Sequence, residues 1–93
     1  MFNHVVLFAF HDAADIAPAV ALLRGMEGRI PTLRAVEVGI DELPSERSAQ
    51  ICLITRFDDL AGMEAYQVHP VHQEVLAFMK GRVARSWKAD WTA

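Results

Sequence analysis

One cysteine, Cys52, stands among 93 residues, so no intramolecular disulfide can form. That usage fits a reducing compartment. Cys52 lies within the apolar run "AQICLITRF" and reads as a small buried hydrophobe. No uncharged apolar stretch reaches ~18 residues, which excludes a membrane-spanning helix. The opening "MFNH" carries no basic residue ahead of its apolar run, so no secretory signal is expected and the location expected is cytoplasmic. Positive charge is also scarce: the net charge is −3, which argues against a nucleic-acid partner. The late basic residues Lys80, Arg82, Arg85 and Lys88 read as a solvated face. GxGxxG, phosphate-loop and GxSxG motifs are missing, and with them the usual signatures of dinucleotide binding, phosphate cradling and the hydrolase nucleophile elbow. Repeats, low-complexity segments and linkers are missing too, so residues 1–93 read as one domain. At this size roughly 60–65% of the unfolded chain's surface is buried, enough for one core.

Apolar residues, by contrast, are plentiful, at 53% of the chain. Phe2–Phe10 is rich in β-branched and aromatic residues and reads as a strand with Phe2, His4, Val6, Phe8 and Phe10 on one face. Val5, Leu7 and Ala9 take the other face, so both faces are apolar. Ile16, Val20, Leu23, Met26 and Ile30 recur at spacings of four and three and predict a helix, begun by Asp12 or Asp15 and ended by Gly28 and Pro31. Pro18 is tolerated there because it falls in the first turn. Leu33–Asp41 and Ala49–Phe57 read as the second and third strands, joined by the polar loop "ELPSERS". Leu60, Met63 and Tyr66 mark a short helix that Pro70 interrupts; Val71, Val75, Phe78 and Met79 mark its continuation to Gly81. Arg82–Trp91 reads as the fourth strand. The order β-α-β-β-α-β, with its second helix broken, predicts an α+β, ferredoxin-like fold: an antiparallel sheet with the helices on one face. The helices cover one face only. The other face, apolar on strands one and three, calls for an identical sheet from a second copy, a two-fold homodimer.

The stretch "EAYQVHPVHQEV", Glu64–Val75, holds the only tyrosine and two of the four histidines. In a continuous helix Tyr66 and His72 would lie roughly 9 Å apart along the axis and on different faces. The break at Pro70 lets them approach. His69 precedes the proline, is kept out of helical geometry, and reads as a junction residue. His72 falls in the first turn of the new helix, where exposed N–H groups disfavour an added proton. A neutral imidazole is a natural base near neutral pH, and a phenol donates to a developing enolate oxygen. Together they suit proton abstraction beside a carbonyl. The same residues equally suit packed, hydrogen-bonded joinery. A metal site is not expected: Pro70 spoils the alignment of His69 with His72, His11 lies far along its strand from His4, and Cys52 stands alone, whereas zinc wants three or four ligands. Trp87 and Trp91 beside Arg85 and Lys88 read as strand packing.

Three segments, "HVVLFAF", "IPTLRAVEVGID" and above all "FDDLAGMEAYQVHPVHQEV", together with the ending "KADW", resemble the stress-responsive dimeric α/β-barrel (Dabb) domain family. The resemblance spans nearly the whole chain. It implies a ferredoxin-like dimer whose sheets close into a barrel. The chain is more distantly similar to a branch of plant polyketide cyclases of the olivetolic acid cyclase type, which close a linear polyketide thioester by an aldol reaction without metal or organic cofactor. In that branch the positions of His4, Tyr66 and His72 line the cavity; Ile51 stands where the branch carries a further histidine. On this footing His72 is the expected base, Tyr66 the group that holds the oxygen or returns the proton, and His4 the residue that orients substrate, with Val6, Phe8, Ile51 and Phe78 as apolar walls. No cofactor is expected. The functions left open are a cyclase or isomerase acting on a small hydrophobic carbonyl compound, a non-catalytic ligand-binding or dimerising module, and a cofactor-free monooxygenase by fold analogy.

Overall fold

The computed structural model describes residues 1–93. Strand β1 runs Phe2–Phe10, helix α1 Ile16–Arg24, strands β2 and β3 Ala35–Ile40 and Ile51–Phe57, helices α2 and α3 Leu60–Val68 and Pro70–Met79, and strand β4 Val83–Thr92. The four strands form one antiparallel sheet in the order β2-β3-β1-β4, with the three helices on one side. This is the ferredoxin-like arrangement expected from the pattern of elements.

Local chemistry sets the boundaries. Asp12 accepts a hydrogen bond from the Ala14 N–H and opens a 3-10 turn, Ala13–Asp15, ahead of α1. The helix is shorter than its apolar stripe. After Arg24 the chain tightens into turns in which Met26, Glu27 and Arg29 donate to carbonyls three residues back. Met26 and Ile30 still reach the core, so the stripe marked burial correctly but not helix length. Gly28, in that turn, and Gly81, just past α3, have φ of 78° and 80°, where a side chain is strained. Asp59 caps α2 by accepting from the Gly62 N–H at 2.9 Å.

On the helix-covered face, the core joins Leu23, Met26 and Ile30 from the first helical segment to Ile51, Leu53 and Phe57 of β3, with Met63, Tyr66, Val75 and Met79 from α2 and α3. Register decides which β1 residues share this face. His4 lies opposite Thr55, Val6 opposite Leu53 and Phe8 opposite Ile51, while on the other flank His4 pairs with Asp90 and Val6 with Lys88. The opposite face has no cover within the chain. It carries Val5, Leu7, Cys52 and Ile54 beside Trp87, Ala89 and Trp91. Leu7 and Trp87 are each 38% exposed and Trp91 47%. Cys52 is partly buried on this face rather than part of the core. No helix is long and apolar enough to cross a membrane.

Candidate active site

The break between α2 and α3 is built by His69 and Pro70. His69 has extended backbone, φ −67° and ψ 139°, and terminates α2 while capping α3. Its Nδ1 accepts a hydrogen bond from the Val71 N–H at 3.1 Å. In an unbroken helix that N–H would go to the Gln67 carbonyl. The Gln67 carbonyl is therefore left free, and His72 Nδ1 lies 3.0 Å from it, with Gln73 Nε2 donating to it at 2.8 Å. A carbonyl can only accept, so His72 Nδ1 carries the proton and Nε2 of the neutral ring holds the available lone pair.

The break also turns His72 back onto Tyr66, whose ring centroid lies 4.2 Å from that of the imidazole. Tyr66 is 1% exposed, packed at 5.0 Å against Phe57 and at 6.5 Å, edge to face, against His4. No protein group hydrogen-bonds its hydroxyl, and the site holds no sealed polar atom without a partner; the hydroxyl therefore opens to the cleft that Tyr66 lines. Burial pushes the Tyr66 phenol up, which keeps it protonated and a donor. Burial pulls His72 down, opposed by its bond to the Gln67 carbonyl and reinforced by His4, so the ring favours the neutral, basic form.

His4 approaches the same cleft from the sheet. Its Nδ1 is hydrogen-bonded to the Asp90 carboxylate, which holds that nitrogen as the proton-bearing one and leaves Nε2 free. Lys88 Nζ donates to the other Asp90 oxygen at 2.6 Å. Partial burial works to raise the Asp90 carboxyl, but the hydrogen bonds from Lys88 and His4 outweigh it and hold the group below the usual carboxylate range. The cross-strand pairing of His4 with Asp90 produces this dyad.

These groups line an open cleft of about 390 Å³ between the sheet and the α2–α3 elbow. The volume falls within the range of small-molecule sites, ~300–1,000 Å³. His4, Tyr66 and His72 all reach it, as do Val6 and Phe8. Ile51 and Phe78 do not line it. Ile51 is buried in the core one pleat further along β3, and Leu53, opposite Val6, takes the wall position instead. Phe78 lies six residues beyond His72, off its helical face, under the Arg82 guanidinium at 4.2 Å. Leu76, at the i+4 position from His72, forms the wall. Asp90 and Lys88 were the functional candidates that periodicity could not mark, because their roles come from a cross-strand neighbour. The ending "KADW" was the only trace of them.

The family model for the stress-responsive A/B barrel domain matches residues 2–93. No curated protein matches the sequence. Among solved structures, a dimeric ferredoxin-like protein of unknown function from Thermobifida fusca is 22% identical, with a TM-score of 0.87 over 99% of this chain and 90% of that one. A dimeric protein of unknown function with a ferredoxin-like fold, from Bacteroides fragilis, is 22% identical, with a TM-score of 0.82 over 99% and 95%. The hydroxynitrile lyase of Passiflora edulis is 12% identical, with a TM-score of 0.83 over 97% and 90%. At these identities the likeness is one of fold.

Proposed function

Because this chain belongs to the stress-responsive A/B barrel domain family, we propose that it works as a homodimer whose subunits each bind a small hydrophobic carbonyl compound and move a proton beside its carbonyl, as a cyclase or isomerase would. The observation that carries this reading is the meeting of Tyr66 and His72 at 4.2 Å on the wall of a cleft, with the His72 tautomer set by the Gln67 carbonyl.

In this reading His72 Nε2 takes a proton from the carbon next to the carbonyl. The electron pair left behind moves onto the carbonyl oxygen, and the Tyr66 hydroxyl, protonated and unpaired, donates a hydrogen bond to that oxygen as charge develops. The proton then returns from His72 to carbon, for an isomerase, or to the oxygen of a second carbonyl that the enolate has attacked, for a cyclase. His4, fixed by Asp90, offers a second imidazole from the opposite wall and orients the substrate. Val6, Phe8, Leu53 and Leu76 supply the apolar surface that holds the substrate's body. The fold is shared with a hydroxynitrile lyase and with dimeric proteins of unknown function. It supports the dimer and leaves the chemistry to these side chains.

A second reading has its own observation. His72 also ties the helix break to the Gln67 carbonyl, a purely structural service. Exchange of α-protons separates the two. Small hydrophobic ketones and β-diketones incubated in heavy water with the wild type should lose their α-proton signals in NMR spectra. His72→Ala should slow this by about 10²–10⁴-fold and Tyr66→Phe by a similar factor, both with folding preserved. If His72→Ala melts the protein and no carbonyl compound exchanges with the wild type, the residue is a structural tie.

A further inference from the structure

The cleft holds two imidazoles, and they are fixed alike. His4 rises from β1 in the sheet, and His72 comes from the first turn of α3. Each has its Nδ1 tied to an acceptor, the Asp90 carboxylate for His4 and the Gln67 carbonyl for His72. Neither acceptor has a proton to give, so each ring carries one on Nδ1 and keeps Nε2 in reserve. Neither Nε2 has a protein partner, and no sealed polar atom lacks one, so both nitrogens open to the cleft that their rings line. Tyr66 neighbours both rings, its centroid 6.5 Å from that of His4 and 4.2 Å from that of His72, and its hydroxyl opens to the same space. All three stand on the helix-covered face, away from the apolar face that a second copy would take.

The two rings differ in what lies behind them. An imidazolium formed at His4 has a counter-ion in place, the Asp90 carboxylate, which Lys88 and His4 hold ionised. An imidazolium formed at His72 has only a carbonyl. Burial favours neutral His72, and a positive charge on His4 disfavours a second one there. One ring is furnished as a base and the other as an acid. The distinction matters for stereochemistry. A single imidazole returns a proton to the face of the carbon from which it came, whereas inversion needs an acid on the far side.

We propose that this cleft inverts a stereocentre next to a carbonyl, as a racemase or epimerase does, with His72 taking the proton from one face of the carbon and His4 supplying one to the other. The inference rests on the proton abstraction proposed above and makes His4 a catalytic acid. The substrate sits between neutral His72 and His4 protonated on both nitrogens. The C–H bond breaks toward His72 Nε2, and its electron pair moves onto the carbonyl oxygen, where Tyr66 donates a hydrogen bond. The enolate pair then forms a new C–H bond with the proton of His4 Nε2. The site ends with the proton on His72 and a neutral His4. The other enantiomer reacts from that state in reverse, so no further reactant is consumed.

The test uses each enantiomer of 2-methyl-1-tetralone, which has one α-proton, incubated with the intact protein in heavy water. Chiral chromatography with mass detection reads the deuterium in each enantiomer. The inverted enantiomer should appear carrying deuterium while the recovered starting enantiomer keeps its proton. His4→Gln should slow inversion by about 100-fold or more and exchange by less than about tenfold. The wild-type label pattern decides the matter even if His4→Gln does not fold. Deuterium entering the recovered enantiomer without inversion would overturn the proposal and leave His72 as a lone base. So would inversion at the wild-type rate in folded His4→Gln. No exchange of this ketone or of the carbonyl compounds named above would overturn the proton abstraction itself, and this inference with it.

Discussion

The two faces of the sheet share their strands and backbone hydrogen bonds and differ in almost everything else. On the helix side, Thr55 is fully buried and Ile51, Leu53 and Phe57 are at most 3% exposed. The polar groups there are held in specific partnerships: Thr55 Oγ1 donates to the His4 carbonyl, and His4 is bonded to Asp90. On the bare side, Leu7, Trp87 and Trp91 stand 38–47% exposed. The covered face is complete within one chain. The bare face is apolar surface awaiting a partner, and exposing a large apolar side chain forgoes roughly 1.5–3 kcal/mol of burial. Alternation along a strand makes the contrast possible, since neighbouring residues serve opposite faces.

The sharpest way to break the comparison is to remove one leucine from each side. Leu23→Ala opens a cavity in the covered core and should cost about 2–5 kcal/mol at any protein concentration, read from denaturant melts. Leu7→Asp should leave the subunit's own core intact but weaken self-association by about 100-fold or more, read by sedimentation, because it buries an unpaired charge in the proposed interface. If Leu7→Asp unfolds the dilute protein as Leu23→Ala does, the bare face is part of the subunit's core and the contrast fails.

A smaller effect comes from acid. Burial lowers His72 in the folded state, so the unfolded chain binds its proton first as pH falls. The associated stability is fully present above the unfolded value of about 6.5 and is lost as pH drops from there through the lowered folded value. His72→Gln should flatten the stability profile across that window. A profile that keeps its slope would place the acid sensitivity elsewhere. Asp90 has the same sign in a separate, lower window, below the ordinary carboxylate range.

The smallest effect should come from the helix junction. His69→Ala removes the cap on the Val71 N–H and should cost about 1 kcal/mol in thermal or denaturant unfolding. It should also loosen the His72 ring, because the Val71 N–H becomes free to compete for the Gln67 carbonyl. A change in stability without any change in the His72 signals would separate the cap from the site.

Much of this was written in local patterns. Strand and helix types, the capping aspartates, the break at Pro70 and the α+β order follow from side-chain period, β-branching and proline geometry, which act within a few residues. Tyr66 and His72 could be nominated together because the break between them was visible in the sequence. What period could not supply was depth and register. Ile51 and Phe78 were expected as walls, whereas pairing of β3 with β1 put Leu53 beside Val6, and the turn of α3 put Leu76 beside His72. Period also let the apolar stripe of α1 run on to Ile30, although the helix ends at Arg24 and turns carry the rest.

The sequence by itself determined which segments become strands and helices and that one sheet face must remain uncovered, because these depend on alternation and composition along the chain. Only the tertiary structure decided that His4 meets Asp90 across 86 positions and that Lys88 secures that carboxylate. Those are meetings between distant residues, settled by strand register, which no local period records.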